Sequence, residues 1–167
     1  PGKVSFGSAG QGASNHLSGE LLNALGGIKM QHVPYKGDAP SIVDLIGGSI
    51  HVALPTTVAG LPHVRSGKLR AIGVTSTKRL DALPDVAAVA ETLPGYEAVS
   101  WGGVMVPAGT PNEFDNPLNA EINKALALPD VARQLAAEGA VPAPGTPEDF
   151  ARLIAREIPR WAEVVKA

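Results

Sequence analysis

Four short apolar runs alternate with helix-like segments through the first part of the chain: "KVSFGS" from Lys3, "KMQHVPY" from Lys29, "SIHVALP" from Ser49 and "KLRAIGVTS" from Lys68. They recur at roughly 25-residue intervals, which reads as β-α-β-α-β-α-β, the rhythm of a parallel sheet with covering helices. Strands covered on both faces are short, apolar and β-branched, as these are. Ser14 is an N-cap type, Leu17, Leu21, Leu22 and Leu25 share one helical face, and Gly26-Gly27 stop the helix. Asp38 is the cap candidate of the next helix, with Pro40 in its first turn. Ile42, Val43, Leu45 and Ile46 form its apolar face, and Gly47-Gly48 end it. "TTVAGLPHVRSG" from Thr56 reads as a third helix despite Gly60 and Pro62.

After Thr77 the texture changes. "KRLDALPDVAAVAETLPGYEA" is a Pro-punctuated connection with a helical turn or two around Val86 to Glu91, and "VSWGGVMVPAG" from Val99 reads as another strand. Thr110-Pro111-Asn112-Glu113 has the form of a capping box, followed by Leu118, Ile122 and Leu126 at helical spacing. Pro117 should break or delay that helix. A short helix from about Pro129 to Glu138 is closed by Gly139. Thr146 to Asp149 cap the last helix, whose stripe is Phe150, Leu153, Ile154, Ile158, Trp161, Val164 and Val165, with a kink expected at Pro159. A module boundary falls near Val99 to Gly103. Residues 1–100 then form an α/β lobe, and residues 101–167 are a strand and helices that read as the tail of another lobe.

A net charge of −2, with Lys and Arg scattered singly, gives no electrostatic footprint for nucleic acid or an anionic membrane. Without cysteine there is no disulfide, thiolate nucleophile or Cys-based metal site. No apolar run approaches the ~20 residues of a membrane span. His16, His32, His51 and His63 form no metal-ligand pair at recognisable spacing. There is no G-x-S-x-G elbow and no paired carboxylates at a strand edge, so neither an enzyme nor a metal or cofactor site is expected. The chain opens at Pro1-Gly2 without Met and is expected to be a processed or excised piece.

The chemistry, if any, sits in "GSAGQGA", Gly7 to Ala13, where only Gln11 interrupts a run of small residues between a strand and a helix. Backbone so bare can be approached closely, and a helix start adds free N–H groups and the positive end of its dipole. Ser8, Ala9, Gly10, Gln11, Gly12, Ala13, Ser14 and Asn15 therefore form a candidate anion site. A tight βα turn with no ligand fits the same residues. The glycines do not make a dinucleotide fingerprint, and the Lys of a phosphate-binding loop is absent. Tyr35 and Lys36, then Pro55-Thr56-Thr57, lie at the same sheet edge, where open α/β sheets hold ligands. Lys36 fits a solvated surface residue, and Thr56 and Thr57 could equally cap a helix.

Read together, "SFGSAGQGASNHLSGELLNALGGIKMQHVPYKGDAPSIVDLIGG", "LPHVRSGKLRAIGVTSTKRLDALPDVAAVAE", "SWGGVMVPAGTP", "LNAEINKAL" and "TPEDFARLIAREIPRWAEVVKA" resemble the Bug, or TctC-like, receptors of tripartite tricarboxylate transporters. The resemblance covers essentially the whole chain. It implies a periplasmic-binding-protein-like (type II) lobe with a mainly parallel sheet and flanking helices, plus a C-terminal helical tail belonging to the other lobe. It also implies an extracytoplasmic, periplasmic receptor that closes on a small carboxylate and presents it to membrane permease subunits. The solute could be a dicarboxylate, a tricarboxylate, an amino acid or an aromatic acid.

The chain matches that family from the second lobe onward, so it is expected to be a fragment without the family's Pro-Gly-Gly-type carboxylate loop. The half-site that remains by resemblance is Ser8 to Ser14, supported by the Tyr35 loop. Where the family usually carries an aromatic-Asp-Asn-like trio, this chain has Pro55-Thr56-Thr57, a departure that bears on ligand identity. The alternative from another class is an α/β domain of an enzyme or regulator that uses the loop for a phosphate or effector.

Overall fold

The computed structural model describes residues 2–166. Three parallel strands, β1 (Ser5–Ser8), β2 (Gln31–Pro34) and β3 (Val52–Ala53), lie in the order β2-β1-β3. Phe6 on β1 stands opposite His32 on one side and Val52 on the other. Helix α1 (Ser14–Gly26) joins β1 to β2, α2 (Asp38–Ile46) joins β2 to β3, and α3 (Thr57–Arg65) follows β3.

The two faces of β1 are covered by different helices, and glycines set the spacing. A Cβ on Gly19 of α1 would stand 2.2 Å from the Phe6 ring, and one on Gly7 would stand 2.4 Å from Ser41 of α2. Phe6 and Gly7 are adjacent and so point to opposite faces. The first crossover therefore covers the Phe6 face and the second covers the Gly7 face, the doubly wound arrangement that the strand rhythm predicts.

The side of α1 turned to the sheet is not the leucine stripe. Asn15, His16, Ser18 and Gly19 are its buried residues, while Leu25 is exposed. Small and hydrogen-bonded side chains let α1 approach Phe6 closely. Ala13 is the N-cap, so Ser14 opens the helix without capping it, and Gly27 closes it in the left-handed conformation at φ 59°. Tyr96, buried, donates its hydroxyl to the Ser18 carbonyl at 3.1 Å and ties the 74–98 connection to α1. Burial pushes its phenol up to about 12.

Two expected strands do not form. Residues 68–76 make only a single parallel bridge, Val74 to Ala88, and a cleft of about 300 Å3 separates Lys68–Arg70 and Ile72 from the open edge of β3. Residues 99–109 have no strand partner among the described residues, leaving Val104 and Met105 65% and 70% exposed. A run with strand composition becomes a strand only on a ladder, and neither segment is seated on one among the described residues.

The tail is helical: α4 (Asn112–Leu126), α5 (Pro129–Ala137) and α6 (Pro147–Lys166). The capping box expected at Thr110 is absent, because the Thr110 hydroxyl turns back to the Pro107 carbonyl and Pro111 is the N-cap. Pro117 does not break α4. It sits within the helix on the exposed side, where its missing N–H forfeits one bond to the Glu113 carbonyl. Thr146 and Asp149 do cap α6 reciprocally, at 2.9–3.2 Å. The helix runs through Pro159. Its one buried residue is Glu157, which accepts from the Trp161 indole at 2.9 Å.

Candidate functional site

The carboxyl ends of β1, β2 and β3 open into three turns, each leading to a helix start. With the order β2-β1-β3 the chain reverses direction about β1, which places the Ser8–Ser14 loop at the switch point of the sheet.

Most of that loop is tied down from inside. Ser8 is fully buried, with its hydroxyl 2.6 Å from His32 Nε2 while accepting the Gly10 N–H at 3.1 Å. Ala9 N–H donates to Asn15 Oδ1 at 3.0 Å, Gly12 N–H to His16 Nδ1 at 3.0 Å, and Ala13 N–H to the Gly10 carbonyl at 3.2 Å. Gly10 and Gly12 take φ of 146° and 75°, values at which a side chain would be strained. The bare backbone is thus a folded turn whose amides at 9, 10, 12 and 13 are already used.

What remains free is different and more compact. Among the described residues, the N–H groups of Gln11 and of Ser14, Asn15 and His16 in the first turn of α1 have no hydrogen-bond acceptor. No side chain caps this helix. Three unpaired donors at a helix start, next to a loop without formal charge, make a place where a carboxylate is stabilised. Gln11 and Ser14 are exposed beside them and can add side-chain donors.

A second network joins the three turns. Asp38, the first residue of α2, accepts Asn15 Nδ2 at 2.7 Å on one oxygen. On the other it accepts Thr56 N–H at 3.3 Å and Thr56 Oγ1 at 3.1 Å. The backbone adds Tyr35 N–H to the Ser8 carbonyl and Gly37 N–H to the Ala9 carbonyl, both at 3.0 Å. On the outer side, Gln11, Gly12, His16, Glu20 and Val164 border a groove of about 920 Å3 between α1 and the end of α6.

The model of the tripartite tricarboxylate transporter family receptor matches residues 1–167. The chain belongs to that receptor family. A relative from Pseudomonas sp. strain P51, the UPF0065 protein of the tcbD-tcbE intergenic region, is 42% identical over 99% of this chain and 50% of its own length. The solved structure of Rpa4515 from R. palustris with adipate superposes with a TM-score of 0.94 at 36% identity, covering 99% of this chain and 56% of that one. The periplasmic binding protein BugD superposes with a TM-score of 0.89 at 33% identity, over 99% and 56% of the two chains. The chain spans about half the length of the curated relatives it matches.

The remaining candidate residues separate. Tyr35 contributes backbone to the turn, but its hydroxyl is led away to Asp44 Oδ2 at 2.7 Å. Partial burial, then the Asp44 carboxylate, raise its phenol above the usual range. Thr56 stands at the edge, engaged with Asp38. Thr57 packs its methyl and Cβ toward Gly139 at the end of α5. Lys36 is exposed and makes no ion pair among the described residues.

Asp38, His16 and His32 organise these turns, and sequence reasoning gave them no such part. A carboxylate that opens α2 reads as that helix's own cap, and only the fold carries it to α3. Histidines sixteen positions apart carry no spacing signal, because their proximity is a product of the β1-α1-β2 crossover. Among the described residues no cluster of side chains could hold a metal ion, and no helix is long and apolar enough to cross a membrane.

Proposed function

We propose that the chain is the second lobe and tail of a periplasmic solute-binding receptor. It captures a small dicarboxylate and hands it to the permease of a tripartite tricarboxylate-type transporter, without covalent chemistry. The observation that carries this reading is the free first turn of α1, with N–H groups of Ser14, Asn15 and His16 unpaired at the sheet's switch point. The adipate held by a structural neighbour at 36% identity supports a diacid as solute.

Each charge-assisted hydrogen bond contributes about 1.5–3 kcal/mol net. Two or three of them reach micromolar affinity only when water is excluded by closure of a second lobe. Residues 1–100 supply one wall of the cleft. Residues 101–167 belong to the opposite lobe, a division supported by the exposed apolar run at 104–106, which has no partner here. Capture is then hinge closure around the acid.

Calorimetry of the full-length gene product against adipate, shorter dicarboxylates, citrate, amino acids and benzoate tests the reading. Saturable binding of a diacid is expected. Gly12→Val places a β-branched residue at φ 75°, with open space around its Cβ. Left-handed strain of about 1–2 kcal/mol reshapes the turn without disturbing the core, so binding falls about tenfold or more. Equal affinity in that variant would place the acid elsewhere.

A further inference from the structure

We infer that His16 and His32 form a stacked positioning pair for the carboxylate loop, His16 through the lone pair on its Nδ1. The inference rests on the loop being the solute site, as proposed above. The two imidazoles lie with ring centroids 3.9 Å apart at 25°, and His32 stacks in turn on Phe6 at 5.0 Å. Each ring secures one glycine of the loop. His16 Nδ1 accepts the Gly12 N–H directly, and His32 acts through the Ser8 hydroxyl, which accepts the Gly10 N–H.

The chemistry at the two rings differs. An amide N–H can only donate, so the Gly12 bond requires a lone pair on His16 Nδ1, and the ring's single proton sits on Nε2, facing Glu20 Oε1 at 3.7 Å. Without an acceptor at that position the Gly12 N–H, at φ 75°, loses the one partner it has among the described residues. The Ser8–His32 contact holds with either tautomer, because a hydroxyl both donates and accepts. Burial, and then His16, hold His32 below the usual imidazole range, with Glu20 pulling the other way.

The groups facing His16 are few. Glu20 is on its own helix, His32 on β2, and Lys29 lines the same groove, to which α6 contributes only Val164 and Val165. With Gly12 released, the loop is no longer shaped for the acid before it arrives, and the ordering cost moves into the binding step.

His16→Asn keeps an acceptor, since Asn Oδ1 takes the place of His Nδ1, and His16→Leu removes it. On the full-length gene product, His16→Leu should bind adipate about three- to tenfold more weakly than the parent, at most the worth of one hydrogen bond. His16→Asn should restore affinity to within about twofold of the parent. In the free protein, the Gly12 amide resonance should move in His16→Leu and stay near its parent position in His16→Asn.

Parent-like affinity in His16→Leu overturns the inference, as does a Gly12 amide that does not respond to that substitution. If Gly12→Val binds adipate as tightly as the parent, the site assignment fails and the inference falls with it. If Gly12→Val loses binding while His16→Leu does not, only the histidine pair is refuted.

Discussion

Gly19 shows how much one absent methyl can matter. Gly within a helix ordinarily costs about 0.5–1 kcal/mol relative to Ala, so Gly19→Ala would stabilise an exposed helix. Here the added carbon would lie 2.2–2.8 Å from three atoms of the Phe6 ring, which is fully buried and has nowhere to turn. Overpacking of this kind costs about 1–3 kcal/mol and outweighs the propensity gain. Gly19→Ala should therefore lower the denaturation midpoint in urea without changing the slope. The position is opaque in sequence: Gly19 reads as a flaw in a leucine-bearing helix, and only the approach of α1 to β1 makes it a requirement. The loop glycines were readable as a turn because positive φ has a residue signature. Which of their amides stay free was not, since that depends on His16, Asn15 and Ser8 as partners.

Among the elements, α4 carries a cost that can be removed. Pro117 lies in its interior on the exposed side, where it forfeits a backbone bond and crowds the preceding turn. Pro117→Ala should stabilise the chain by about 1–3 kcal/mol, less the roughly 0.4–1 kcal/mol by which proline restrains the unfolded chain. A rise in melting temperature checks this. The 3-10 turn at Val89–Glu91 is held by charge instead. Glu91 accepts from the Arg79 guanidinium at 2.8 and 2.9 Å and from the Ala88 N–H at 2.9 Å, and these bonds hold its carboxyl at about 2. A carboxyl lowered on folding stabilises the fold above its ordinary range, and that contribution disappears as pH falls toward 2. The melting-temperature gap between parent and Glu91→Gln should accordingly be open at neutral pH and close as the pH falls from about 4.5 to about 2.

Element types were legible where the pattern was self-sufficient: all six α-helices and three of the strands follow from period and punctuation. The misreadings at 68–76 and 99–109 share one cause. A strand is completed by a neighbour, and composition cannot say whether the neighbour is present.

For the whole molecule, the run from Val99 to Val106 and the outer faces of α4 and α6 leave large apolar side chains in water, including Trp101, Met105, Phe114 and Ile158. Apolar surface on this scale is normally covered. The purified 167-residue chain should self-associate as concentration rises, and Val104→Lys with Met105→Glu should return it to a monomer by light scattering. The α/β part was legible as an alternation of short strands and helices, and so was the edge at which its three turns gather. The outer groove beside α1 was not, because it is built from residues of α1 and α6 that lie far apart in sequence.

Asp38 ties Asn15, Thr56 and its own helix together with both oxygens engaged, so the three turns at the mouth of the sheet have no separate freedom. They behave as a single cast piece. Whatever approaches that edge meets a surface of settled shape, and a change at any one turn is felt at the other two.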